Sequence, residues 1–196
     1  MESANLQNDS DTDQDLLIQE ACRDRAAFAQ LYRLHYDNIF RYCARRLFNR
    51  HAAEDVTSIV FFKAMRTMGS FKGNSKDFRN WLYRIATNAV NDHLRTAKRR
   101  ADAICNIAMV RGSDNTFDAE SDAEFQEEIL PVKQALLTLK PKQQTVITLR
   151  FFEKLKLTEI AEILGQNPAT TRSQLSRALS SLRKKLGASA GHGREV

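Results

Sequence analysis

Apolar residues recur every three or four positions through most of this chain, and this helical period restricts the possible folds more than any other feature. The period is clear after Asp24, Ala52 and Lys76, and it returns between residues 125 and 186. No convincing run alternates apolar and polar side chains, as a half-buried strand would. Between residues 101 and 124 the period fades into an acidic segment rich in serine and aspartate. The expected fold class is therefore all-α, with two small helical domains joined by a flexible acidic linker.

The same pattern sets the expected boundaries of the segments. The acidic N-terminus and the short C-terminal tail are expected to be disordered, whereas the periodic stretches are expected to fold. In chain order we expect a disordered N-terminus at 1–12, a first helical domain at 13–100, the linker at 101–124, a second helical domain at 125–187 and a disordered tail at 188–196.

Charge is distributed unevenly along the chain, although the net charge is only +6. Residues 1–20 contain six acidic and no basic residues, and residues 101–131 contain eight acidic residues and one basic residue. Residues 21–100 have 17 bases and six acids, and residues 132–196 have 12 bases and four acids. Two basic blocks separated by an acidic stretch indicate two modules that face a polyanion such as nucleic acid. The alternative is solvated helix faces with uneven charge.

Composition disfavours membrane and secreted proteins. The longest apolar run, around Val60 to Phe62, is far too short to cross a bilayer. An N-terminus with acids but no bases is also unlike a secretory signal or a transit peptide. We therefore expect a cytoplasmic protein without membrane insertion.

Chemically reactive side chains form no recognisable site in the sequence. The cysteines Cys22, Cys43 and Cys105 are widely spaced and form no CxxC pair, so neither a disulfide framework nor a zinc site is predicted. The four histidines are scattered, and no glycine-rich phosphate loop or nucleophile motif occurs. The chain is therefore not expected to be an enzyme or to bind a cofactor or a metal.

One stretch, residues 157–186, carries the signals of two helices separated by a tight turn. Thr158 is a plausible N-cap of a short helix that Gly165 can end in a left-handed conformation. Asn167 can cap the following helix, and Pro168 can occupy its first position, where a missing N–H costs nothing. Two helices joined by so few residues must cross steeply, which predicts a helix-turn-helix motif.

The second helix of this motif has two distinct sides. On a helical wheel centred on Leu175, one side is apolar and the opposite side carries hydroxyl and basic groups. Guanidinium groups can pair with guanine or phosphate, and small hydroxyls permit close approach to DNA. A structural helix hairpin could show similar charges, but the spacing, the caps and the basic face together favour DNA binding. The apolar side contains Thr171, Ala178, Leu179, Leu182 and Leu186, and the outer side with its flanks contains Arg172, Ser173, Ser176, Arg177, Ser180 and Lys184.

These motifs together resemble a known family. Residues 138–186, in which the run LRFFE precedes the helix-turn-helix, resemble region 4 of bacterial sigma factors, which reads the minus-35 promoter element. Three upstream segments of this chain are similar to successive parts of region 2 of the same family. They are FAQLYRLHYDNIFRYCARRL, AAEDVTSIVFFKAM and FRNWLYRIATNAVNDHLR. A short chain without a region 3 domain is similar to the extracytoplasmic-function (ECF) group, and the resemblance covers about residues 13–186. It implies an alternative sigma factor that binds core RNA polymerase and directs promoter recognition, minus-10 melting and transcription initiation.

The resemblance also implies the protein partners. Region 2 would dock on the β′ coiled coil of core RNA polymerase, the β flap is a second implied contact on the polymerase, and an anti-sigma factor is a further implied partner. Ser58 and Ile59 stand where the family often has Gln and Glu, so docking would rest more on Asp55 and on apolar contact. The implied polymerase-binding residues are Glu54, Asp55 and Phe62.

Promoter DNA is the other implied partner. Region 4 would hold the minus-35 element with Arg172, Ser173, Ser176 and Arg177. A loop of region 2 would capture a base flipped from the minus-10 element, by stacking and by hydrogen bonds from Phe71, Asn74 and Ser75. The helix that follows would present Arg79, Asn80, Arg84, Asn88 and Asn91 to phosphates and unpaired bases, whereas Trp81 is expected in the core. Backbone contact would be extended by Arg95, Lys98, Arg99 and Arg100.

A stand-alone helix-turn-helix transcription regulator is the alternative function. Such a regulator would usually form a dimer, and it would leave the region 2 pattern without an explanation. Sedimentation and polymerase binding distinguish the two functions.

Overall fold

The structure, a computed structural model, describes the backbone of residues 2–108 and 134–190 and the side chains of residues 12–103 and 134–186. Every regular element in those ranges is helical, and no strand occurs there, which confirms the expected all-α class. No helix among the described residues has the length and apolarity needed to cross a membrane. The helices are α1 (Glu2–Ala21), α2 (Arg25–Leu47), α3 (Arg50–Thr67), α4 (Ser75–Ala108), α5 (Pro141–Ile147), α6 (Leu157–Leu164) and α7 (Pro168–Ala190).

The chain divides into two compact units, the first comprising residues up to His93 and the second containing most of the remainder. A 3₁₀ turn at Met68–Ser70 follows α3 in the first unit, and a π-helical turn at Thr148–Phe152 follows α5 in the second. Residues 134–137 are also helical. The core of the first unit includes Ile18, Leu31, Ile39, Val56, Val60, Leu82 and Val90, and that of the second includes Val146, Leu149, Ile160 and Ala178.

Three helices extend beyond the boundaries expected from composition. Helix α1 begins at Glu2, inside the segment expected to be disordered, and α4 continues to Ala108, inside the expected linker. Helix α7 reaches Ala190, past the expected end of the second domain at 187. Neither residues 2–21 nor residues 101–108 contain a glycine or a proline, so nothing in the local sequence stops a helix there. The rest of the linker, at 109–124, and the end of the tail, at 191–196, lie outside the described residues.

Side-chain caps fix the joins between the first helices. Asp24 caps α2, as expected, because its Oδ1 accepts the N–H of Ala26 at 3.0 Å. Phe48 ends α2 in a left-handed conformation with φ of 52°. Asn49 then caps α3 by accepting the N–H of Ala52 at 2.8 Å. The chain therefore reverses within two residues, and α3 packs against α2.

Two polar pairs connect α2 to α4 inside the first unit. The buried hydroxyls of Tyr42 and Thr87 lie 2.8 Å apart, and Nη2 of buried Arg46 donates to Oδ1 of Asn91 at 3.3 Å. Both pairs advance by four residues along each helix, so α2 and α4 run parallel where they meet. Because a buried hydroxyl without a partner is costly, these pairs also specify how α4 is rotated against α2.

Candidate nucleic-acid and polymerase interfaces

The turn between α6 and α7 has the geometry of a helix-turn-helix. Gly165 is left-handed with φ of 60°, and the N–H of Gln166 donates to the carbonyl of Ala161 at 2.9 Å, closing α6. Asn167 caps α7 by accepting the N–H of Ala169 at 2.8 Å, and Pro168 is the first residue of that helix. The predicted roles of Gly165, Asn167 and Pro168 are therefore confirmed.

The predicted N-cap of α6 is wrong. Helix α6 begins at Leu157, one residue before Thr158, and the N–H of Ile160 donates to the carbonyl of Lys156 at 3.0 Å. The Glu159 carboxylate reaches back and accepts the N–H of Lys156 at 2.7 Å. This bond from within the first turn satisfies the start of α6, so no hydroxyl cap is needed at Thr158.

The outer face of α7 presents its basic and hydroxyl groups together. Arg172, Ser176 and Arg177 are exposed, and Ser173 is half-buried. Nη2 of Arg177 donates to Oγ of Ser173 at 2.8 Å, one turn away on the same face. The hydroxyl therefore helps to orient the guanidinium in the free protein. The four residues expected at the minus-35 element lie on one surface of α7.

The apolar side of α7 is not buried uniformly along the helix. Thr171 and Ala178 are fully buried, and Leu175, Leu179 and Leu182 are half-buried. Leu186 is 37% exposed, although its position on the helical wheel belongs to the apolar side.

The loop expected to capture a base lies between the 3₁₀ turn and α4. We call residues 71–75 the promoter-facing loop, after the role that the sequence resemblance implies for them. The Phe71 ring is half-buried and packs against Trp81 and Phe78, with ring centroids 5.1 and 5.6 Å away. Gly73 has φ of 152°, and a Cβ there would lie 2.7 Å from Cβ of Asp77. The loop is therefore held by aromatic packing at its start and by close backbone approach at its centre.

Two of the expected base-capturing residues also build the start of α4. Oδ1 of Asn74 accepts the N–H of Asp77 at 3.0 Å, and Oδ2 of Asp77 accepts the N–H of Asn74 at 3.2 Å. This reciprocal pair is a capping box. The N–H of Ser75 donates to Oδ1 of Asp15 in α1 at 2.6 Å. Asn74 and Ser75 consequently have structural partners in the free protein.

The polar residues of α4 do not share a single surface. Arg84 and Asn88 are exposed, and Arg79 is half-buried. Asn91 is half-buried and accepts from Arg46, as described above. Asn80 departs from expectation because it is only 5% exposed, seven residues before the buried Thr87 on the same face of α4.

A groove between α3 and α4 is the feature that sequence reasoning missed. It has a volume of about 460 Å³, within the usual range of small-molecule sites. Trp81 lines it and is half-buried, so the expectation that this residue belongs wholly to the core was too simple. The spacing of Trp81, Ile85 and Asn88 places them on one face of α4 and was the available sequence signal. We call this the aromatic groove, and its lining residues are Lys63, Arg66, Thr67, Trp81, Ile85 and Asn88.

His35 packs against the aromatic cluster formed by Phe71, Phe78 and Trp81. Its ring contacts the Phe78 ring edge-on, with centroids 5.3 Å apart. Burial, together with the smaller effect of the nearby positive charge of Arg79, lowers the pKa of His35 to about 4. The imidazole is therefore neutral at neutral pH.

One face of α3 combines acidic and exposed apolar side chains. Asp55, Ile59 and Phe62 follow one another at helical spacing and are all exposed. The Arg66 guanidinium carbon lies 5.8 Å from the centroid of the Phe62 ring. Glu54 is half-buried, and its carboxylate accepts from Nε of Arg50 at 3.1 Å. The three expected polymerase-binding residues thus lie on one helix, with Asp55 and Phe62 on the same exposed face.

Family models match most of both units. The model of Sigma-70 region 2 matches residues 31–100, and that of Sigma-70 region 4 matches residues 129–182. The chain is 34% identical over 170 residues to the ECF RNA polymerase sigma factor SigW of Bacillus subtilis, covering 83% of this chain and 90% of SigW. It belongs to the ECF family of RNA polymerase sigma factors. This sigma factor is also 33% identical over 181 residues to the RNA polymerase sigma-H factor of Pseudomonas aeruginosa, covering 89% of this chain and 93% of that protein.

Two solved structures have the same fold. The structure of CnrH in complex with the cytosolic domain of CnrY matches 89% of this sigma factor and 97% of that chain, with a TM-score of 0.66 and 20% identity. The structure of RpoE from Bartonella quintana in complex with the anti-sigma factor NepR matches 82% of this chain and 96% of that chain, with a TM-score of 0.65 and 21% identity.

Membership of the family confirms the expected function at the level of the whole protein. The chain is an alternative sigma factor that acts in transcription initiation with core RNA polymerase and promoter DNA. A stand-alone regulator would not account for the region 2 match at residues 31–100. The roles of single residues stay predictions.

Proposed function

We propose that this sigma factor captures an unpaired minus-10 base in the aromatic groove while α7 holds the duplex minus-35 element. The observation that carries the proposal is the composition of the groove, which brings Trp81, Asn88 and the cations Lys63 and Arg66 around one cavity. An indole can stack on any base, an amide can bond to its edge, and cations can neutralise the flanking phosphates. Strand opening would then be driven by binding energy, with no nucleotide hydrolysis.

The promoter-facing loop would border the site occupied by this base. The Phe71 ring contacts Trp81, so the loop and the groove share one aromatic surface. Arg84 and Asn88 would meet the strand on either side, because both are exposed on α4. Asn74 and Ser75 would act mainly by shaping the loop, since their capping and backbone bonds are already made.

Substitutions within the groove test this proposal. Trp81→Ala and Asn88→Ala should each reduce open-complex formation by roughly tenfold, in line with base-stacking energies of about 1–3 kcal/mol. The readout is permanganate reactivity of minus-10 thymines in reconstituted holoenzyme. Asn38→Ala is the matched control, because Asn38 is an exposed asparagine on α2 that lies outside the groove. Normal opening by both groove variants would contradict the proposal.

Core RNA polymerase would bind the exposed face of α3. Asp55→Arg should abolish co-elution with core polymerase, because it reverses a charge beside the apolar contact made by Ile59 and Phe62. Asp37→Arg, at an exposed aspartate of α2, makes the same charge change on another helix and should bind normally. Loss of binding in both variants would indicate a global effect of net charge instead.

An anti-sigma factor is a proposed partner. The support is that two solved structures with this fold, those of CnrH and RpoE, were determined with a bound partner chain, and NepR is described as an anti-sigma factor. We further propose that the protein works in the cytoplasm and is itself no enzyme, since RNA synthesis would belong to the core polymerase. Its removal from holoenzyme after initiation should leave RNA elongation intact, which a transcription assay on preformed elongation complexes measures.

A further inference from the structure

Helix α1 and Cys22, the residue that follows it, approach the two ends of the promoter-facing loop. At the far end, Oδ1 of Asp15 accepts the N–H of Ser75 at 2.6 Å. At the near end, Sγ of Cys22, the residue after α1, lies 3.8 Å from the carbonyl oxygen of Phe71 and 3.3 Å from that of Ile18, which is the nearer acceptor for its thiol proton. Helix α1 lies outside the region 2 match, which begins at Leu31.

The bond from Asp15 satisfies a group that α4 cannot satisfy itself. The first N–H groups of a helix have no partner within the helix, and α4 begins at Ser75. Asn74 and Asp77 satisfy one another's N–H groups through their capping box, whereas the N–H of Ser75 is bonded by a carboxylate 60 residues earlier in the chain. A negative charge at this end of α4 is also favoured by the helix dipole.

Apolar packing does not replace this bond. A groove of about 740 Å³ opens beside α1 and the start of the loop, lined by Leu16, Gln19, Cys22, Gly69 and Phe71, among others. Because α1 and the loop are not in continuous contact there, the hydrogen bond at Ser75 is a specific constraint on where the loop ends and α4 begins. Phe71 is held separately, by its ring contacts with Phe78 and Trp81.

We propose that Asp15 is a positioning residue for minus-10 recognition. By fixing Ser75, it sets the path of the promoter-facing loop relative to the aromatic groove, and so determines which unpaired base fits there. This inference rests on the proposed role of the groove and the loop. Asp15 touches no DNA in this scheme, because its effect is transmitted through the backbone of Ser75.

The test uses the full chain in reconstituted holoenzyme and three variants. Asp15→Ala removes the acceptor, Asp15→Asn keeps a carbonyl oxygen at the same position, and Asp13→Ala removes an exposed acid from the same helix as a control. Initiation is measured on promoters with each single-base change in the minus-10 element and, separately, in the minus-35 element. Affinity for core polymerase is measured in parallel.

Asp15→Ala should reduce discrimination between the preferred and the other minus-10 bases by roughly three- to tenfold, as loss of one partly buried hydrogen bond would. Minus-35 discrimination and core affinity should change less than about twofold. Asp15→Asn should recover most of the discrimination, and Asp13→Ala should behave as wild type. A merely structural role for Asp15 would instead lower initiation on all promoters equally, and that result would overturn the proposal.

The groove variants separate this proposal from the function on which it rests. If Trp81→Ala and Asn88→Ala change minus-10 selection but Asp15→Ala does not, the positioning role alone fails. If neither groove variant changes minus-10 selection, the proposed function of the groove fails, and the positioning role fails with it. If Asp15→Ala is too unstable to assay, Asp15→Leu, which also removes the acceptor but keeps a side chain of similar size, decides the question, because selection that shifts without loss of core affinity supports positioning and unchanged selection contradicts it.

Discussion

Gln166, in the turn of the helix-turn-helix, and Gln174, in α7, bond to one another through both side-chain amides. Nε2 of Gln166 donates to Oε1 of Gln174 at 3.2 Å, and Nε2 of Gln174 donates to Oε1 of Gln166 at 3.2 Å. Gln166 also donates to Oγ1 of buried Thr171 at 2.8 Å. These bonds hold α7 at one rotation relative to the turn, so the basic outer face has a fixed direction.

Removing the glutamine pair should weaken both stability and DNA binding. Gln174→Leu leaves the Gln166 amide without its reciprocal partner, and it should lower the free energy of unfolding by about 1–2 kcal/mol. Gln174→Glu keeps an acceptor for Gln166 but loses the donor, so its effect should be smaller. Thermal unfolding and binding to minus-35 duplex measure the two effects. Ser180→Ala, at an exposed position of α7, is the control, and an equal loss there would refute the role of the pair.

The bond between Ser173 and Arg177 should matter for minus-35 affinity. Arg177→Ala should cost about 1–3 kcal/mol in binding free energy if the guanidinium pairs with a base, and should relax specificity at one position. Ser173→Ala leaves the guanidinium in place but frees it from its 2.8 Å contact, so the loss should be a fraction of that value. Fluorescence anisotropy with single-base variants of the duplex distinguishes these effects. A loss that is uniform across sequences and reduces the salt dependence would show a phosphate contact instead.

Glycine should be required at position 73 but not at position 69. Gly73→Ala would place a Cβ 2.7 Å from that of Asp77 at a φ of 152°, so it should cost about 2 kcal/mol or more and disrupt the start of α4. Gly69→Ala meets only the Cys22 carbonyl oxygen, at an ordinary 3.6 Å, and should be nearly neutral. Urea unfolding of the two variants makes the comparison. Similar free energies of unfolding would show that the loop adapts to a side chain.

His35 should make the first unit less stable in acid. Its pKa is lowered from 6.5 to about 4 in the folded chain, so the unfolded state binds more protons between these values. The contribution of His35 to the free energy of unfolding is complete above pH 6.5, and roughly 3 kcal/mol of it is lost as pH falls to 4.

The His35 contribution is isolated by comparison with a variant. His35→Phe keeps a ring against Phe78 and should show a shallower fall in the free energy of unfolding between pH 6.5 and 4. His51→Gln changes an exposed histidine and should follow the wild-type curve. Identical pH dependence in His35→Phe and the wild type would indicate that carboxylates alone cause the acid sensitivity.

The sequence by itself determined the helices, the turn of the recognition motif and the family. These rest on signals that act over a few residues, such as Asp24 and Asn167 as caps, Gly165 in a left-handed turn, and apolar spacing of three and four. The position of Arg172 and Arg177 on the outside of α7 follows from the same periodicity. Such features need no knowledge of what packs against them.

Only the tertiary structure decided which side chains share a site. The bonds from Asp15 to Ser75 and from Tyr42 to Thr87 join residues 60 and 45 positions apart, and no local pattern specifies them. The same holds for the aromatic groove, where Trp81 of α4 and Lys63 of α3 line one cavity. Helix packing brings these groups together, because burying the apolar face of each helix fixes its rotation and so selects which polar groups become neighbours.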